Sequence, residues 1–208
     1  MPKPDARPAL NNALPSPAEQ GVLLARLDAI LTAHPLLSPL LDQLAVLVPD
    51  CWLAAGAVRA AVWDYLHGYP PSLPVEIDLV HYTQECDEAA LAARLQPALR
   101  ARFAEVAEWD IVNQATIHHW LAQTQGQRWP AFDSLAAALA SWPETATAIA
   151  VRRRGGILEL IAPFGLADLF AGVVRHNPAR VPAAVFEARL ESKGWLLRWP
   201  DLICRKGT

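Results

Sequence analysis

Cysteine is scarce and scattered in this chain. Its three residues, Cys51, Cys86 and Cys204, are odd in number and contain no C-x-x-C pair. That argues against a disulfide framework and against a thiolate zinc site, and points to a reducing compartment. Positive charge is also in short supply. Eighteen Lys and Arg stand against 21 Asp and Glu, a net charge of −3. Such a chain has no long-range field to draw in a long nucleic acid. No window reaches the run of roughly 20 apolar residues that a membrane span requires. Met1 to Pro17, rich in Pro, Ala and Asn, lacks the apolar stretch of a secretion signal. The expectation is a cytoplasmic protein with no membrane partner and no long nucleic-acid partner.

What is present is core-forming material. The 208 residues are 53% hydrophobic and include eight Trp, enough for a packed globule. Residues 1–16 are expected to be a disordered tail, 17–125 a core, and 126–208 a C-terminal hairpin and helices packed on that core as one domain. Ser16-Pro17-Ala18-Glu19 has the form of a capping box with Pro at the first helical position. Leucines at helical spacing carry that helix to Ala33, and a second follows from Leu36 to Val48. Short apolar strands are expected at 50–55, 75–82 and 105–112. Helices lie between them at 57–66 and 88–102, the latter capped by Asp87 and kinked or ended early at Pro97. Asn113-Gln114-Ala115 leads into a helix carrying His118 and His119. Further on, 134–141 reads as a helix, and 146–153 with 157–161 as a hairpin around Arg154-Gly155-Gly156. Helices at 166–171 and 183–193 precede a tail packed by Trp195 and Trp199. Strands and helices alternate throughout, so the class is α+β, a small mixed β-sheet flanked by helices.

The chemistry concentrates in residues 51–82. Strand side chains alternate between faces, so Glu76 and Asp78 share one face while Val75, Ile77 and Leu79 take the other. Two acids on one face of an apolar strand call for a cation, or for a strand with that face in water. Asp110, in the apolar run Trp109-Asp110-Ile111-Val112, is the best third carboxylate, unless Arg102 pairs with it. Hard divalent cations take carboxylate oxygens. The turn at Gly56 and Ala57, opening a helix, offers backbone N–H groups and a helix dipole to an anion. Arg59 in the first turn is placed to reach a phosphate oxygen. Asn113 is a candidate nucleotide contact, or else it satisfies a strand end. His118 and His119 are adjacent and read as packing or surface residues. Arg152-Arg153-Arg154 reads as a solvated turn, and Asp168 as the partner of a later Lys or Arg.

Gly56-Ala-Val-Arg59, Leu66-His-Gly68 and Glu76-Ile-Asp78-Leu resemble the head of the DNA polymerase beta-like nucleotidyltransferase superfamily. The form is closest to the Gly-Gly-x-x-Arg-Asp motif of poly(A) polymerases and CCA-adding enzymes. Trp109 to His118, Trp142-Pro-Glu-Thr-Ala-Thr to Arg152 and Ala162-Pro-Phe-Gly-Leu to Phe170 extend the likeness to a bacterial nucleotidyltransferase-like family over residues 20–204. The resemblance implies a mixed sheet flanked by helices, with Glu76, Asp78 and Asp110 as metal ligands. It implies Mg²⁺, with Mn²⁺ as an alternative, and NMP transfer from an NTP to a small-molecule or protein acceptor. Three positions depart from the motif: Glu76 for Asp, Ala55 for the first Gly, and Ala60 for the Asp after Arg. They motivate a second reading, a nucleotide-binding or sensing module of the same fold without turnover.

Overall fold

The structure is a computed structural model, described here for residues 16–84, 88–125, 130–179 and 181–206. Asp87 and residues 126–129, expected as a helix cap and a loop, lie outside this set, as does the N-terminal tail. Helix α1 spans Pro17–Ala33 and opens with the expected capping box. The Ser16 amide donates to Glu19 Oε2 at 2.8 Å, and the Glu19 amide donates back to Ser16 Oγ at 3.3 Å. Its Leu23, Leu27, Ile30 and Leu31 are buried against α2, Leu37–Leu47. The corner between them is held by the buried His34, whose Nδ1 accepts from the Leu36 and Leu37 amides.

Five strands form one sheet in the order β3-β2-β1-β4-β5. These are β1 Trp52–Ala54, β2 Glu76–His81, β3 Glu108–Asn113, β4 Ala150–Arg154 and β5 Ile157–Ile161. β1 runs antiparallel to both β2 and β4, and β4 to β5, while β2 and β3 are parallel. A parallel pair needs a long crossover, supplied by α4, Glu88–Arg102. α4 continues through Pro97 instead of ending there. The burial of Leu95 and Leu99 on either side holds the helix through the one lost hydrogen bond. The register sets Asp78 opposite Asp110 on one side and Ala54 on the other.

One sheet face, with Leu53, Ile77, Leu79, Trp109 and Val151, joins the main core under α1, α2, α4 and α3, Ala55–Leu66. The opposite face carries Trp52, Ala54, Val80 and Ala150. Leu135 and Leu139 of α6, Leu135–Ala140, cover part of it. The acids stand on that second face, beyond the reach of α6.

Three elements differ from expectation. The strand expected from Ala146 begins only at Ala150, because the Glu144 carbonyl accepts from the Thr147 and Ala148 amides and turns the chain there. The strand expected from Glu105 starts at Glu108, after a Val106-to-Phe103 turn. Two three-residue strands, β6 Val173–Arg175 and β7 Ile203–Arg205, pair in parallel as a second sheet. Between them lie α8, Ala183–Lys193, and the short α9, Trp195–Arg198. α5, Ile117–Gln125, and α7, Ala167–Ala171, complete the chain. Among the described residues no single helix is long and apolar enough to cross a membrane.

Candidate active site

Glu76, Asp78 and Asp110 converge. Each offers a carboxylate oxygen within 4.8 Å of the others. Glu76 and Asp110 are exposed and Asp78 is half-buried. The cause is local. β2 presents residues 76 and 78 on one face, and the parallel register with β3 brings Asp110 level with Asp78. Burial, then the neighbouring charges of Glu76 and Asp110, push the Asp78 carboxyl up to about 6. The Gly56 N–H and Arg59 act in the opposite direction. Three hard oxygen donors that repel one another form a donor set suited to a hard divalent cation.

The turn before α3 puts backbone directly beside these acids. A methyl group built on Gly56 would stand 3.8 Å from Asp78 Oδ2 and 3.9 Å from Arg59 Nη2. The amide expected to face a phosphate is directed at Asp78, to which Gly56 N–H donates. The left-handed residue of this turn is not the glycine but Ala55, at φ 51°. Left-handed backbone costs an L-residue about 1–2 kcal/mol. Ala55→Gly is therefore expected to stabilise the protein by about 0.5–1 kcal/mol net of the greater freedom of an unfolded glycine. That corresponds to a Tm roughly 2–3 °C higher in a thermal melt. A lower Tm would show that packing of the buried methyl outweighs the strain.

Arg59 is buried. Its Nη1 donates to Thr147 Oγ1 at 3.0 Å, and its guanidinium lies 4.2 Å from the ring centre of Trp195 and 5.1 Å from that of Trp63. Burial lowers it to about 10, so it remains cationic at neutral pH. Ala57 lies in the first turn of α3 and is buried. Asn113, the candidate nucleotide contact, lines the cleft and also has a strand-end role. Its amide donates to the Thr83 carbonyl at 2.8 Å and accepts from the Thr83 and Ala115 amides. It braces the β3 end against the loop after β2, the strand-end alternative.

A cleft of about 900 Å³ opens over the acids. Its lining includes Gly56, Arg59, Glu76, Asp78, Asp110, Trp120 and Trp142, together with Arg189, Lys193, Trp195 and Arg198 from the C-terminal helices. Sequence reasoning missed this basic wall. The signal available was Arg189 and Lys193 four residues apart, on one helix face.

Other expectations resolve outside the cleft. Arg152, Arg153 and Arg154 pair with Glu159, Asp28, Asp42 and Asp50, so they form no free basic patch. Asp168 accepts from Arg175 Nε at 2.8 Å and from Thr145 Oγ1 at 2.6 Å. The His118 and His119 rings pack on one another at 3.9 Å.

A family model described as nucleotidyltransferase matches residues 43–204. Among solved structures, an NMR structure described as revealing a CCA-adding enzyme head domain is 25% identical, with a TM-score of 0.65. It covers 89% of this chain and 95% of its own. A CCA-adding enzyme in complex with CTP is more distant, at 16% identity and a TM-score of 0.45, covering 86% of this chain and 47% of that one. No curated protein matches the chain. The mixed sheet with its acidic strand is the fold of that head domain. With the family match over most of its length, the chain belongs to the nucleotidyltransferase family.

Proposed function

We propose that the protein transfers NMP from an NTP to a small-molecule or protein acceptor, with Glu76, Asp78 and Asp110 holding Mg²⁺ or Mn²⁺. The observation that carries this reading is the convergence of the three carboxylates within 4.8 Å at a cleft also lined by Arg59, Arg189, Lys193 and Arg198. When bound, a divalent ion would neutralise phosphate charge and lower the pKa of a coordinated nucleophile. The chain's own part is placement. β2 and β3 fix the carboxylates in register, and Gly56 keeps the backbone bare beside Asp78. Arg59, anchored on Thr147 and Trp195, presents a fixed cation. NTP is the donor proposed because the chain belongs to a nucleotidyltransferase family. A cleft of about 900 Å³ has room for a small acceptor group beside a nucleotide. A small-molecule or protein acceptor is preferred to a long nucleic acid because the net charge is −3 and Arg152, Arg153 and Arg154 are paired with acids.

The test is calorimetric titration of each NTP with Mg²⁺, with excess chelator, and in Asp110→Asn. We expect binding of at least one NTP, lost with chelator and weakened at least ~10-fold in the variant, as for removal of one charged ligand contact. Binding indifferent to chelator and to Asp110 would overturn the site. A module without turnover is favoured by one observation, the strained Ala55 methyl beside the cleft. It predicts the same binding but no pyrophosphate release with any acceptor.

A further inference from the structure

The segment Trp142-Pro-Glu-Thr-Ala-Thr is not used by the acidic triad, yet it crosses the floor of the cleft. Asn177 fixes it, donating from Nδ2 to the Ala140 and Trp142 carbonyls at 2.7 and 2.8 Å. Thr145 is tied to Asp168, and Thr147 holds Arg59. Between them Glu144 is wholly buried, at 0% exposure. Its Oε1 accepts from Arg189 Nε at 2.6 Å. Its Oε2 is buried with no hydrogen-bond donor among the described residues.

A fully buried carboxylate with one oxygen unmatched is costly unless cations compensate it. Two do. Arg189 is in direct contact, and Glu144 is the strongest favourable charge acting on Arg59. Both guanidinium groups also lie over one ring, Trp195, at 4.2 Å for Arg59 and 5.7 Å for Arg189. Like charges repel, and Arg189 disfavours the charged form of Arg59. Glu144 thus anchors Arg189 directly and favours the charge on Arg59, and the Trp195 ring lies near both guanidinium groups. Lys193 follows one turn after Arg189 on α8, and Arg198 stands beyond it, paired with the buried Asp64 at 3.4 Å. All four cations line the cleft that holds Glu76, Asp78 and Asp110. Arg59 and Lys193 make no salt bridge among the described residues. A cleft lined by three converging acids and by surplus cationic charge suits a ligand with two kinds of contact. Such a ligand is a polyphosphate with a metal-facing part and an arginine-facing part.

We propose that Glu144 is a positioning residue for a polyphosphate subsite. It holds Arg189 over the Trp195 ring, which the Thr147-anchored Arg59 also meets, so that the unused donors of the two receive the phosphate tail of the nucleotide. This rests on the nucleotidyltransferase reading and adds to it which side of the cleft takes the tail. Without the Glu144 charge, Arg189 loses its anchor, and its half-exposed side chain turns to solvent.

The experiment measures binding of inorganic tripolyphosphate, each NTP and each NMP, with Mg²⁺, to the full chain. It compares wild type, Glu144→Gln and Arg189→Met. Loss of a charged hydrogen-bonding partner typically weakens binding ~10-fold or more. We expect tripolyphosphate and NTP affinities to fall by about that factor in both variants, while NMP affinity holds. The NTP-to-NMP ratio shrinks accordingly. A purely structural role would lower NMP and NTP affinities together and leave the ratio unchanged, which overturns the proposal. Should Glu144→Gln fail to fold, Arg189→Met decides, since that side chain is 34% exposed. Wild type that binds NTP, with an unchanged ratio in Arg189→Met, overturns this inference alone. Wild type that binds neither NTP nor tripolyphosphate overturns it together with the reading beneath it.

Discussion

Asp78→Asn is expected to abolish metal-dependent NTP binding while making the metal-free protein more stable at neutral pH. The two effects have one cause. Asp78 is surrounded by what disfavours its charge: burial first, then Glu76, then Asp110, which together raise it to about 6. In the unfolded chain the same group titrates near 3.8. Between these values the native state binds the extra proton, so stability falls as pH rises and levels off above the native value. The stabilisation of the folded state by the neutral form is thus fully present below about pH 4 and lost above about pH 6. At about 1.4 kcal/mol per unit, the gap is on the order of 2–3 kcal/mol. Asn is the neutral isostere and can still accept from Gly56 N–H. In chelator at pH 8 its Tm is expected to be roughly 5–10 °C above wild type, and at pH 4 the difference should nearly vanish. With Mg²⁺ the order reverses in part, because only wild type gains stability by binding the ion. Loss of a ligand worth several kcal/mol should reduce any nucleotidyl transfer by about 10³-fold or more. Thermal melts at the two pH values, each with and without Mg²⁺, check this. A variant less stable than wild type at pH 8 in chelator would show that the three acids do not repel as described.

The same triad shows what a sequence can and cannot reveal. Period-two alternation places Glu76 and Asp78 on one face without any structure, and the capping box at Ser16 and Glu19 locates the start of α1. Those are local rules, each read within a few residues. That Asp110 joins them depends on β2 and β3 being parallel and in register, a consequence of the α4 crossover. The basic wall was hidden for the same reason. Arg189, Lys193 and Arg198 lie more than a hundred residues from Asp78, and only the packing of Trp195 of α9 on Trp63 of α3 and the tie of α8 to Glu144 bring them to it. The turn at Gly56 holds a detail that sequence alone does not reveal. The structure puts the left-handed backbone on Ala55 and leaves Gly56 helical, bare of side chain beside Asp78. Strands β6 and β7 have three residues each, too short for alternation to register. Pro97 misled because a proline's local penalty of about 3 kcal/mol was weighed without the burial of Leu95 and Leu99.

Trp63→Ala is expected to have the largest effect on stability of any single change in the chain. Trp63 lies on α3, one turn after Arg59, and is wholly buried. Its ring meets Trp195 edge-on at 5.9 Å and Trp199 at 5.2 Å. Its indole N–H donates to the Leu169 carbonyl of α7 at 3.2 Å. One side chain thus joins the helix behind the acidic turn to two C-terminal elements. Asp64 beside it extends the tie, accepting from Trp199 Nε1 at 2.9 Å. Truncating a buried Trp costs about 3–5 kcal/mol, and edge-to-face pairs add about 0.5–1.5 kcal/mol. Against a total of about 5–15 kcal/mol for a typical domain, the expected fall in Tm is roughly 10–15 °C. Trp63→Phe keeps a ring but loses the indole N–H, and should fall by about a third as much. Because Arg59 stacks on Trp63 and Trp195 together, either variant should also loosen the guanidinium. Tripolyphosphate binding by folded Trp63→Phe would then weaken more than its stability loss alone explains. Denaturant titration and calorimetry of the two variants separate these effects. If α8 and α9 were only loosely attached to the core, Trp63→Ala would melt them alone, and two transitions would replace one. A single shifted transition is the result expected from a ring packed on both sides of that boundary.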